Sequence, residues 1–195
     1  LYTSHFFRET TPVHPEDMSA PLYPWMLAAA FSVTGADHRV AQVFSVAAGV
    51  AMIVLTWAAG RRFFDDTTAI LGSLLVALHP DLVILSSWAM TETLYGALFL
   101  FILLLFPDAT QVRDGWFRPA ILGAACGALY LLRANGLAVA AAIGIAILLG
   151  GPIAAKARQG LRAWRGPLLR AALCASVSRA VVGPWLVRHA RGCGS

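Results

Sequence analysis

The chain has 195 residues, 58% of them hydrophobic and 13% charged, with 15 Lys and Arg against 10 Asp and Glu for a net charge of +5. A soluble domain carries about 25% charged side chains, so this chain has too little polar surface to cover a water-facing globule, and the same numbers exclude disorder. The composition is that of a membrane protein, and its basic residues cluster between apolar runs, as orienting charges do, which argues against a nucleic-acid partner.

Residues 1–39 form a polar loop in which Pro12, Pro15, Pro21 and Pro24 break any long helix. Within it, Trp25 to Val33 is apolar but too short to cross, and suits a helix lying at the interface with Tyr23 and Trp25 at headgroup depth. Val40 to Gly60 is the first expected crossing, closed by Arg61 and Arg62. Thr67 to Phe106 is an apolar stretch of about 60 Å as helix, enough for two crossings, with the turn between His79 and Glu92. Either Pro80 or the polar cluster Ser86, Ser87 and Thr91 could make that bend.

Pro107 to Pro119 reads as a polar loop. Ala120 to Leu132 and Leu137 to Gly151 follow, split by Arg133, Ala134, Asn135 and Gly136, so the two helices either extend through that hinge or pair there as a tight hairpin. Residues 152–170 carry Lys156, Arg158, Arg162, Arg165 and Arg170 and no acid. The last apolar run, Ala171 to Val187, is interrupted by Arg179 and leads to Arg188, His189 and Arg191. The expected fold is all-α: a single polytopic transmembrane bundle over residues 1–195, with about six spans at about 20 residues each. The chain opens on Leu1 without a basic or apolar leader, and so reads as an internal piece of a longer protein, inactive by itself.

Alternating spans put nine basic residues (Arg61, Arg62, Arg113, Arg118, Lys156, Arg158, Arg162, Arg165, Arg170) on one side and five (Arg8, Arg39, Arg133, Arg188, Arg191) on the other. The side with nine is cytoplasmic by the positive-inside rule. The N-terminal loop, Glu92, the Arg133 hinge and Arg188 then gather on the outer face of the cell membrane.

Glu92 is the sole carboxylate between Leu82 and Phe106, and an ionisable group at membrane depth costs about 2.5–3.5 kcal/mol on insertion scales. It is a candidate catalytic residue, against the plainer alternative of an acid favoured by the first turn of a helix. Arg133, beside Asn135 and Gly136, could hold a phosphate or a carboxylate, or simply snorkel to the interface. Arg188 and His189 follow Pro184 and Trp185 and read equally as an interface anchor. His79 fits a helix end better than a metal site, and no HExxH, CxxC, Walker loop or GxGxxG occurs. Cys126 and Cys174 fall inside apolar runs and Cys193 near the end, so no disulfide framework is indicated.

Several motifs then recur in order: PLYPW at Pro21 to Trp25, a Gly-Arg-Arg-Phe-Phe run ending at Phe64, ALHP at Ala77 to Pro80, SSWAMTET at Ser86 to Thr93, LYLLRANG ending at Gly136, and PWLVRH from Pro184. Together they resemble the N-terminal half of GT-C glycosyltransferases, in the branch of protein O-mannosyltransferases and lipid A aminoarabinose transferases. The resemblance implies transfer of a sugar from a polyprenyl-phosphate donor to an acceptor at the outer face, with membrane lipid around the enzyme. It implies a first acidic residue upstream of PLYPW, expected before Leu1, since Glu9, Glu16 and Asp17 sit in no matching motif. Glu92 matches a second acid, and Arg133, Asn135, Arg188 and Tyr23 are the implied substrate contacts. Some members use a divalent metal, and nothing in this sequence requires one. The competing class is a polytopic transporter or lipid flippase, in which Glu92 and Arg133 would form an intramembrane ion pair; an inverted repeat of broken helices would favour it.

Overall fold

The computed structural model describes the backbone of residues 20–35, 37–88, 91–110, 116–154 and 162–192, with the side chains of these residues other than 87, 107–110, 149–154, 162–165 and 188–192. The fold is all-helical: α1 (Leu22–Thr34), α2 (His38–Phe63), α3 (Asp66–Leu78), α4 (Pro80–Ser87), α5 (Thr91–Thr110), α6 (Phe117–Leu132), α7 (Gly136–Ala154) and α8 (Arg162–Gly192).

The short helix α1 covers the segment for which an interfacial helix was expected, and Gly35 ends it at φ 84°, a conformation open to glycine without strain. Asp37 then caps α2 by accepting a hydrogen bond from the Arg39 amide at 2.9 Å. At 26 residues, α2 is long and apolar enough to cross a bilayer unaided. The chain reverses in two residues because Asp65 caps α3 at once, accepting from the amides of Thr67 and Thr68. The Thr68 hydroxyl and amide hold the Asp65 carboxyl below its ordinary pKa, so this cap is present above the usual carboxylate range and is lost as the pH falls through the lowered value.

The turn expected between His79 and Glu92 is two breaks. Pro80 pushes the residue before it out of helical conformation, and His79 sits at φ −67°, ψ 117°. Proline then serves as the first residue of α4. The helices α3 and α4 meet at 61° and are long and apolar enough to span a bilayer only as a pair. The second break is at Trp88, extended at φ −97°, ψ 148°, and α5 starts at Thr91. The helix α5 also continues past Pro107 to Thr110, and α8 begins at Arg162, so helix replaces parts of both loops expected there. The start of α8 is helical although it contains Gly166 and Pro167, which local propensity disfavours.

Small residues set the packing. The buried stripe of α2 is Ala41, Ser45, Ala48 and Met52, spaced as one helical face. A Cβ at Gly60 would lie 2.5 Å from the Cα of Ala69, which locks the α2–α3 hairpin. The helix α6 is central: Leu122, Cys126 and Leu129 join Ile102, Ile143, Ile147 and Cys174 in the main core. Its Gly123 and Gly127, four residues apart, form the close-approach motif of membrane helices. A Cβ at Gly123 would collide with the backbone of Cys174, and one at Gly127 would lie 2.9 Å from the Cβ of Val181. Since 123, 127 and 130 meet 174, 181 and 185 in increasing order, α6 and α8 run parallel. Outward, Val43, Val50, Val54, Leu74, Leu75 and Leu78 are exposed, a surface suited to lipid and not to water.

Replacement of Gly123 by Leu is expected to lower stability by about 1–3 kcal/mol through overpacking, whereas Gly144→Leu, with nothing within 4 Å of the added Cβ, should leave it unchanged. Thermal unfolding in detergent compares the two, and equal midpoints would refute the α6–α8 contact.

Candidate functional site

One end of the bundle collects the start of α5 and the turn between α6 and α7. Between the two openings left by the sequence, the Arg133 hinge is the hairpin. Helix α6 stops at Leu132, Arg133 is extended at φ −161°, ψ 135°, and its amide still bonds the Leu129 carbonyl at 3.1 Å. The Gly136 amide donates to the Arg133 carbonyl at 2.9 Å, which starts α7. Only glycine fits at 136, because a Cβ there would lie 2.6 Å from the Leu129 carbonyl carbon and the Tyr130 nitrogen.

This hairpin brings together two residues 41 positions apart. Arg133 Nη1 donates to Glu92 Oε1 at 3.2 Å, with the side chains 49% and 34% exposed. Each charge sits at the helix end that favours it, Glu92 in the first turn of α5 and Arg133 at the close of α6. A half-exposed pair adds about 0–1 kcal/mol to stability in water; in an apolar surround its larger effect is to neutralise two charges that would be costly alone. Among the described residues Arg133 makes this one side-chain bond, and a guanidinium has five N–H donors. The arrangement can therefore bind an anion and keep a carboxylate beside it.

Tyr23 of α1 is 8% exposed and packs in a cluster with Leu27, Ala41 and Leu132, the residue before Arg133. Its hydroxyl is buried without a partner, as are those of Ser45 and of Thr93, next to Glu92. Three orphaned hydroxyls around one end of a helical bundle are unusual, since buried polar groups are nearly always bonded. Asn135 is exposed in the hairpin, where its carbonyl accepts from the Ala138 amide at 3.1 Å. Arg188 lies on the α8 backbone one turn past Trp185, and its side chain falls outside the described residues. Tyr130 and Trp185 meet edge to face, ring centroids 6.1 Å apart, so the parallel register carries positions 133 and 188 to the same level.

Sequence reasoning missed Thr93 and Ser45 at this end and the meeting of Tyr130 with Trp185. Ser45 was detectable from its spacing with Ala41, Ala48 and Met52; the Tyr130–Trp185 meeting has no local signal. His79 and Asp81 stand exposed at the α3–α4 break, apart from Glu92 in sequence and paired with no third ligand type. Among the described residues no group of three or more His, Cys, Asp or Glu comes together, and Glu92 faces a guanidinium, a setting that fits an anion better than a dication.

Helix α5 meets α2 where a side chain at Gly96 would press on Met52 Sδ, 2.7 Å away. Glu92, one turn nearer the start of α5, is one-third exposed and bonded to Arg133, whose neighbour Leu132 packs with Ala41 of α2 and with Tyr23 and Leu27 of α1.

Residues 14–185 match the family model described as dolichyl-phosphate-mannose-protein mannosyltransferase. No curated protein and no solved structure matches the chain.

Proposed function

The chain belongs to the dolichyl-phosphate-mannose-protein mannosyltransferase family, a membrane glycosyltransferase using a polyprenyl-phosphate sugar donor, and from that premise we propose that the Glu92 end of the bundle faces outward and carries the transfer site. The observation that supports this most directly is the Glu92–Arg133 pair, which joins an acid and a phosphate-binding cation at one end of a helical bundle.

In this reading Arg133 leaves Glu92 for the donor phosphate, a stronger charge-assisted partner. That exchange frees the carboxylate to take the acceptor proton. The acceptor oxygen attacks the anomeric carbon from the face opposite the phosphate; the new C–O bond forms as the bond to the phosphate oxygen breaks, and its electron pair leaves with polyprenyl phosphate. The proton ends on Glu92. Arg188, Asn135 and Tyr23 are the further donor and sugar contacts in this proposal, and neither sugar nor acceptor is specified by it. The helices α2, α3–α4, α5, α6, α7 and α8 act as six passes through the cell membrane. A transporter reading has less support, since one broken helix pair, α3–α4, occurs among the described residues without an inverted counterpart.

The orientation is tested by single cysteines in a background with Cys126, Cys174 and Cys193 replaced. Thr34→Cys should react with an impermeant maleimide on intact cells, and Phe64→Cys only after the membrane is opened. The reverse pattern would overturn the outward site. Transfer itself is tested by release of polyprenyl phosphate from lipid-linked mannose by the full-length protein.

A further inference from the structure

We infer that the Tyr130–Trp185 pair is the contact for the first isoprene units of the donor, directly beneath its phosphate; this rests on the donor reading above and adds the residues that select the lipid. The two rings are half-buried and lie outside the main core, which consists of Ile102, Leu122, Cys126, Leu129 and their neighbours. Their edge-to-face contact joins α6 to α8 beyond the two glycines.

Their place along the helices carries the argument. Helices α6 and α8 approach backbone to backbone at Gly123 and backbone to side chain at Gly127. At Tyr130 and Trp185 two large rings replace glycine, with centroids 6.1 Å apart and planes at 74°. The α6–α8 contact thus changes from glycine to aromatic toward the end that carries Arg133. Tyr130 precedes Arg133 by three residues, and Trp185 precedes Arg188 by three, so on each helix an aromatic ring lies one turn deeper than an arginine position. A prenyl phosphate entering from the bilayer has the same polarity order: hydrocarbon deep, phosphate shallow. Aromatic side chains offer large apolar area at little cost in rotamer freedom, and ring faces favour contact with the allylic carbons of an isoprene over saturated acyl chains. Leu186 and Val187, exposed beside Trp185, continue an apolar path to the lipid.

The test uses the full-length protein in phosphatidylcholine nanodiscs, with long-chain polyprenyl monophosphate as the probe and phosphatidic acid as the competitor. Trp185→Leu should raise the Kd for polyprenyl phosphate roughly tenfold while Trp185→Phe stays near the parent value, and neither should change the weak binding of phosphatidic acid. Equal affinity in Trp185→Leu, Tyr130→Leu and the parent would overturn the inference and leave the donor reading standing. Absence of polyprenyl phosphate binding by the parent protein would overturn both. Should the Leu variants fail to fold, p-benzoylphenylalanine in place of Trp185 gives a second readout. Light-driven cross-linking to the prenyl chain, with none from the same group in place of Leu75, exposed on α3, supports the assignment; cross-linking to phosphatidylcholine alone refutes it.

Discussion

Glu92→Gln is expected to lower sugar transfer by roughly 10²–10⁴-fold, the usual cost of losing a general base. Glutamine keeps the length and the oxygen that accepts from Arg133 at 3.2 Å, so the hairpin should stay in place while the proton acceptor is lost. Donor affinity should change little, which separates this effect from a failure to bind. If the side chain serves only to complement the first turn of α5, the amide variant would lose about 0.3–1 kcal/mol of stability and keep its turnover. Steady-state transfer at saturating donor, alongside thermal unfolding of the same preparation, distinguishes the two outcomes. Unaltered turnover would remove Glu92 from the mechanism.

Arg133→Ala is expected to weaken donor binding by roughly 10- to 100-fold, since a hydrogen bond to a charged group contributes about 1.5–3 kcal/mol. It also leaves Glu92 without its partner at membrane depth, so expression should fall as well. Combining it with Glu92→Gln removes both charges and should restore expression without restoring transfer. Lysine is a poor replacement, because it lacks the planar fork that grips two phosphate oxygens at once. Recovery of donor affinity in Arg133→Ala at normal expression would assign Arg133 to the interface and not to the site.

Much of this organisation is legible in the sequence because membrane helices announce themselves by length and apolar composition, and proline and charge mark their ends. Pro80 fixed one bend through its effect on His79, and the Arg133 to Gly136 interruption held a true hairpin. The second bend at Trp88 was harder to place, since Ser, Thr and Ala are tolerated in helix or turn alike. Continuation of helix through Arg162 to Arg170 ran against their charge, which marks an interface and not a loop. Within the site, Glu92 and Arg133 could each be singled out by their cost in an apolar run, and alternation of spans put them at one end. Their direct pairing, and the orphaned hydroxyls of Tyr23, Ser45 and Thr93, depend on how helices rotate about their axes, which single helices of nearly uniform hydrophobicity leave undetermined.

The buried flank that α1 and α2 give the Glu92–Arg133 pair, through Tyr23, Leu27 and Ala41, bears on a side reaction. An activated sugar phosphate can be captured by water as readily as by an acceptor, and in that event the lipid-linked donor is consumed for nothing. Glu92 is 34% exposed, so water reaches the pair from its open side, while on the other side Tyr23 and Leu27 are buried, not solvated. In the proposed reaction the bound donor would cover that open side and displace the water there, leaving the anomeric carbon to an acceptor held by its own binding surface. Fidelity of transfer over hydrolysis would then rest on the substrate, which closes the side that the helices leave open.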